Sequence, residues 1–156
     1  MLYLSPLSGE LMKLRHPLLG CMRTPENNRG VPEGMPWAGD CGLKVATSSD
    51  PAEVERYLTW LDRLDRSDHL FATAPDVLGN PVETWARSAP LLPRIRAMGY
   101  RVALVAQDGF DAGAVDWDAF DCLFIGGKPS HARGTAPNER RRLAAQEWKR
   151  SEAGGY

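Results

Sequence analysis

Apolar and polar positions follow two rhythms along this chain. Three apolar runs stop abruptly at polar or glycine residues. They are Leu70-Phe71-Ala72-Thr73-Ala74-Pro75-Asp76, Val102-Ala103-Leu104-Val105-Ala106-Gln107-Asp108-Gly109 and Cys122-Leu123-Phe124-Ile125-Gly126-Gly127. A short apolar run closed by turn residues reads as a buried strand of a parallel sheet. Leu2-Tyr3-Leu4, ahead of a turn at Ser5-Pro6, and Leu18 to Met22 add two more. Five strands are therefore expected, near residues 2–5, 18–22, 70–74, 102–107 and 122–126.

Helical spacing fills most of the intervals. Asp50 is a good N-cap, Pro51 fits the first helical position and Glu53 completes a capping box. Val54, Leu58, Leu61 and Leu64 keep one apolar stripe, so a helix is expected from Pro51 to about Arg66. A second starts at Asn80 and Pro81, passes Trp85, is interrupted near Pro90 and Pro93 and ends at Gly99. Shorter helical pieces are expected at Gly9 to Arg15 and as one turn at Trp117 to Phe120, with a charged helix from about Pro137 to Arg150. Residues 23–42, rich in Gly, Pro and Asn, read as a loop. A loop of about twenty residues is long for a compact domain, and such loops are usually functional or disordered. Strand, helix, strand from Phe71 to Val105 makes a βαβ unit, which places the chain in the α/β class.

Composition narrows the setting. The 156 residues suit one domain, and 43% hydrophobic with 25% charged is ordinary for a globular protein. With neither a membrane-length apolar run nor a signal-peptide pattern, a cytoplasmic protein is expected, in the host cell if the gene is a phage's. Three cysteines far apart (Cys21, Cys41, Cys122) make no disulfide framework and no C-x-x-C pair, so a zinc site built within this chain is not expected; no other metal and no cofactor is expected either. Charge is uneven. Residues 1–127 hold 12 Lys/Arg against 17 Asp/Glu, whereas residues 128–156 hold 7 against 3, with the run Arg140-Arg141-Arg142. A basic tail on an acidic body can draw nucleic acid by neutralising phosphates; it can equally be a solvated helix face.

The ends of the apolar runs carry the candidate chemistry. In parallel α/β folds the ligand sits at the carboxyl ends of the strands, which would bring Asp76, Gln107 and the Gly126-Gly127 pair onto one face. A guanine-like base offers two donors, N1–H and the 2-amino group, that suit a carboxylate, and an acceptor, O6, that suits an amide or a backbone N–H. Those residues supply that set. Each also has a plain structural use: Asp76 as a turn cap, the glycines as the turn itself. Asp40, in Gly39-Asp40-Cys41-Gly42, is a second candidate carboxylate, or else a turn residue held by its own side chain. Asp108 is expected to face away from Gln107 by strand alternation. His16, His69 and His131 are read as surface residues, Cys41 as a thiol without a His partner, and Trp60 and Trp85 as core.

Taken in order and spacing, Thr24-Pro25, Trp37 through Gly42, Ala74-Pro75-Asp76-Val77-Leu78-Gly79, Val105 through Gly109 and Phe124-Ile125-Gly126-Gly127 resemble the phage-encoded relatives of tRNA-guanine transglycosylase, some of which insert 7-deazaguanine bases into DNA. The resemblance covers residues 1–127. It implies a TIM-like (β/α) barrel and exchange of guanine for a deazapurine through a covalent glycosyl-enzyme intermediate. Asp40 would be the general acid/base, Asp76 the carboxylate reading the purine N1 and 2-amino edge, and Gln107 and Gly127 the donors to O6. Two departures stand out. Cys41 replaces the usual Asn or Ser, and Glu147-Trp148-Lys149 comes some twenty residues late, after a basic insertion. The barrel half that would carry the sugar-attacking carboxylate is not among these residues.

The expected architecture is thus a partial TIM-like barrel over residues 1–127, truncated before its second half, with a basic helical tail or insertion over 128–156 that is poorly packed or lies over an edge. Open sheet edges template association, so an oligomer or a complementing chain is expected. The expected partners are a purine or 7-deazapurine base and DNA or tRNA, with no membrane. The functional expectation is guanine/7-deazaguanine base exchange by a shortened or split homologue. The alternative is a non-catalytic purine- or nucleic-acid-binding module. A glycosidase using Asp40 and Asp76 would also need sugar-stacking aromatics, which do not accompany them.

Overall fold

Six strands lie side by side in chain order and all run parallel, so the sheet curls into a half-barrel with helices on its outside. The computed structural model describes residues 2–14, 16–42 and 50–126. The strands are β1 (Tyr3–Pro6), β2 (Leu19–Arg23), β3 (Trp37–Gly39), β4 (His69–Thr73), β5 (Val102–Ala106) and β6 (Cys122–Ile125). The helices are α1 (Gly9–Lys13), α2 (Pro51–Asp62), α3 (Pro81–Ser88) and α4 (Leu92–Ala97), with two short 3₁₀ turns before β6. Gly127 and the basic segment 128–156, including its expected helix, lie outside the described residues.

Local chemistry sets the helix starts. Asp50 caps α2 by accepting the Ala52 N–H at 2.9 Å, and Asn80 caps α3 by accepting from Glu83 at 3.1 Å. The expected second helix is two, α3 and α4, broken at the Pro90–Pro93 stretch. On α2, Tyr57, Leu58 and Leu61 are fully buried against the sheet. Each side chain of that kind contributes roughly 1.5–3 kcal/mol on burial. They join Trp37, Ala72, Val102 and Leu104 in the layer between sheet and helices. Across the sheet, Phe71 and Phe124 pair on the concave side with ring centres 6.1 Å apart.

Three expectations are corrected here. The loop assigned to residues 23–42 contains a strand, β3, so the sheet has six strands rather than five. A three-residue strand has too few positions to show periodicity, and Gly and Pro surround it. Tertiary contacts create it. The Trp37 ring is buried and its indole N–H donates to the Ser67 carbonyl at 2.8 Å, while β3 pairs with β2 on one side and β4 on the other. Pro6, expected in a turn, ends β1 one residue beyond the strand expected near 2–5; proline is tolerated there because β1 is an edge strand. His69, expected on the surface, is half-buried at the start of β4 with its ring 5.1 Å from Tyr100 and 6.2 Å from Trp37.

The β2 register depends on Gly20. A Cβ there would lie 2.6 Å from the Pro36 carbonyl oxygen and 2.7 Å from Leu4 Cδ2. The carbonyl cannot retreat, because it accepts the Cys21 N–H at 2.9 Å within the β2–β3 pairing. Gly20→Ala is therefore expected to destabilise the fold by about 1–3 kcal/mol. Urea unfolding monitored by tryptophan fluorescence measures it.

Candidate functional site at the carboxyl rim

The carboxyl ends of β3, β4 and β5 meet at one rim, where β3 contributes Asp40, β4 Thr73 and Asp76, and β5 Gln107. Asp40 follows β3, and its N–H donates to the Arg23 carbonyl at 2.8 Å, which fixes the start of its loop. Thr73 closes β4 and is fully buried. Its hydroxyl donates to Asp40 Oδ1 at 3.2 Å and accepts the Cys41 N–H at 3.3 Å. Its carbonyl accepts the buried Tyr57 hydroxyl at 2.7 Å. One residue thereby joins α2, β4 and the turn after β3.

Asp76 lies three residues beyond Thr73, in a segment whose backbone is held by α3. Thr84 Oγ1 accepts the Val77 N–H at 2.9 Å and donates to the Val77 carbonyl at 3.1 Å. Ser88 Oγ donates to the Pro75 carbonyl at 2.9 Å, and Arg87 donates to the Asp76 carbonyl at 3.2 Å. Irregular backbone at partial depth must find such partners or lose stability. Thr84, Arg87 and Ser88 share one helix face at i, i+3 and i+4, and Thr84 and Ser88 are buried. Polar residues on the buried stripe of a short helix were the signal that identifies them; sequence reasoning passed over them.

Gln107 follows β5 and is buried. Its Oε1 accepts the Gly79 N–H at 2.8 Å, which leaves Nε2 directed at Asp76 Oδ2, to which it donates. The Cys41 thiol approaches Asp76 Oδ1 at 3.5 Å from the β3 side. Asp76 therefore stands half-buried between a thiol and an amide. Burial raises its pKa above the ordinary carboxylate value, and the nearby Asp40 charge raises it further, while the Cys41 hydrogen bond and Arg87 pull the other way.

Of the five residues singled out from the sequence, the fold brings Asp40, Asp76 and Gln107 to this rim. Gly126 reaches it in a different capacity. Its N–H donates to the Ala106 carbonyl at 2.9 Å, so that group completes the ladder instead of facing a ligand. A Cβ on Gly126 would sit 2.6 Å from Val105 Cγ1 and 3.1 Å from Gln107 Nε2, so glycine there leaves the amide its place. Gly127 lies outside the described residues. Among the described residues no group of three or more His, Cys, Asp or Glu is placed to hold a metal ion, and no helix is long and apolar enough to cross a membrane.

Comparison with family models, with curated proteins and with solved structures found no match for this chain.

A carboxylate with a raised folded pKa binds its proton more tightly in the fold than in the unfolded chain. Its contribution to stability is then largest in acid and falls as pH rises from about 4 through the folded value. Asp76→Asn keeps an acceptor for Gln107 and removes the repulsion with Asp40. The expected outcome is a variant at least as stable as the parent at pH 7, with a shallower decline in unfolding free energy between pH 4 and pH 7. Urea titrations across that range give both slopes.

Proposed function

We propose that the rim formed by Asp40, Asp76 and Gln107 holds a guanine or 7-deazaguanine base, and that the protein serves base exchange in nucleic acid in the manner of a transglycosylase. The observation that supports this most is the Asp76–Gln107 pair. A carboxylate acceptor and an amide donor are locked side by side, half-buried, at the carboxyl rim of a parallel half-barrel. A guanine edge presents N1–H and the 2-amino group beside O6. Asp76 takes the two donors, and Gln107 Nε2 carries two protons, of which the bond to Asp76 uses one. Adenine would set its N1 lone pair against the same carboxylate, so the pair discriminates between the purines. Asp40, steadied by Thr73, is the second carboxylate and gives a proton to the departing base, while the sugar carbon that loses the base bonds to a carboxylate that a complementing chain must supply. The motif resemblance supports the same assignment. A second copy or another chain pairing at the open edges of β1 and β6 belongs to this reading too.

Calorimetric titration tests the base site. Guanine and 7-deazaguanine are expected to bind, adenine much more weakly, and Asp76→Ala to lose about 10- to 100-fold in affinity, as for a hydrogen bond to a charged group. Asp76 must be ionised to accept, so guanine affinity is expected to rise with pH through its raised pKa. Incorporation of labelled guanine into DNA or tRNA tests exchange. Binding without incorporation would identify a base-binding module, and absence of base-selective binding would overturn both readings.

A further inference from the structure

The crossover from β2 to β3 runs over residues 24–36 without a helix. Parallel strands are usually joined through a helix that covers the sheet. Here the loop arches away and leaves an open cavity of about 700 Å³ between itself, the sheet and the end of α2. This cavity is on the helical side of the sheet, with Arg23, Asn28, Trp37 and Leu64 among its lining residues, and shares none of them with Asp40, Asp76 and Gln107.

Arg23 is the unusual member. It is only 8% exposed, and among the described residues no carboxylate pairs with it. Its guanidinium lies over the Trp37 ring at 4.9 Å and the Trp60 ring at 5.9 Å. Nη2 donates to Asn28 Oδ1 at 3.0 Å, while Nε has no partner. The buried Trp60 indole Nε1 lacks a partner as well. A buried donor left unmade costs about 1–3 kcal/mol, more when charged. Arg23 lines the cavity while Trp60 does not, so the unmet hydrogen-bonding capacity at this site is that of the guanidinium, which calls for a negatively charged acceptor. Three carboxylates, Glu33, Asp65 and Asp68, share the lining with Arg23 and Arg63. Asp65 accepts from the Ser67 N–H and hydroxyl at 2.9 and 2.8 Å, and Asp68 accepts the Gly34 N–H at 3.2 Å.

We propose that Arg23, stacked on Trp37 and Trp60, anchors a second ligand site that takes a small molecule through a carboxylate or phosphate group. The two rings hold the guanidinium in place, and a guanidinium is the side chain best suited to a planar or tetrahedral oxyanion. The cavity has the size of an ordinary small-molecule site. Burial lowers the Arg23 pKa from its usual value, as an unpaired cation requires, and a bound oxyanion would reverse that cost.

The test is thermal unfolding of the full chain at constant ionic strength, with inorganic phosphate in one arm, acetate in another and potassium chloride as the reference. Phosphate or acetate is expected to raise Tm saturably, by roughly 3–6 °C at ten times its Kd, and the arm that responds identifies the source of the oxyanion. Arg23→Met should abolish the rise, and Asp76→Ala should preserve it, which separates this site from the base site. The ¹⁵N–¹H resonance of Arg23 Nε in the unsubstituted protein should shift with the same saturation, whatever the folding of the variant. No rise above chloride in either arm, a rise that survives Arg23→Met, or an Arg23 Nε resonance that stays fixed would each overturn the proposal.

Discussion

Thr73 is the point on which the rim depends. A parallel sheet ends all its strands on one side, so several unpaired backbone groups and loop starts crowd together there. Thr73 resolves three of them at once: its carbonyl takes the Tyr57 hydroxyl, and its own hydroxyl ties Asp40 to the Cys41 N–H. It is fully buried, so water cannot stand in for any of these partners. The position of Asp40 relative to Asp76 follows from this one side chain together with the brace that α3 places under residues 75–77.

The rim also holds an electrostatic conflict. Two carboxylates share a partly dry corner, and Asp76 responds with a raised pKa from burial first and from Asp40 second. A protein selected for stability alone would remove one of them. Gln107 and Cys41 each engage one oxygen of Asp76, which limits the conflict without eliminating it. Strain of this kind concentrates where a ligand can relieve it, and a base offering N–H donors would do so.

The outer layer shows a different compromise. The helix-free β2–β3 crossover leaves Arg23 to do the covering a helix would do, with its guanidinium laid over Trp37 and Trp60. Arginine can serve there because its flat face behaves as a stacking surface while its edge remains polar. The edge is what remains only partly satisfied.

The sequence by itself determined the α/β class, the starts of α2 and α3 with their caps, and three of the rim residues. Asp50-Pro51 and Asn80-Pro81 are local signals that need no tertiary context, and the short apolar runs closed by turn residues read as strands, of which β5 is buried throughout while β4 and the edge strand β6 are only partly so. Asp40, Asp76 and Gln107 were legible because a run that stops at a polar residue marks a strand end, and parallel strands share one end. The tertiary structure alone decided β3, which exists because Trp37 is buried and both neighbours pair with it. It also decided the half-burial of His69, the use of the Gly126 N–H in the ladder, the brace of Thr84, Arg87 and Ser88, and the stacking of Arg23. Each of these joins residues remote in sequence or selects among partners that are all plausible locally. Periodicity reports which face a residue shows; it carries no information about which distant group stands opposite.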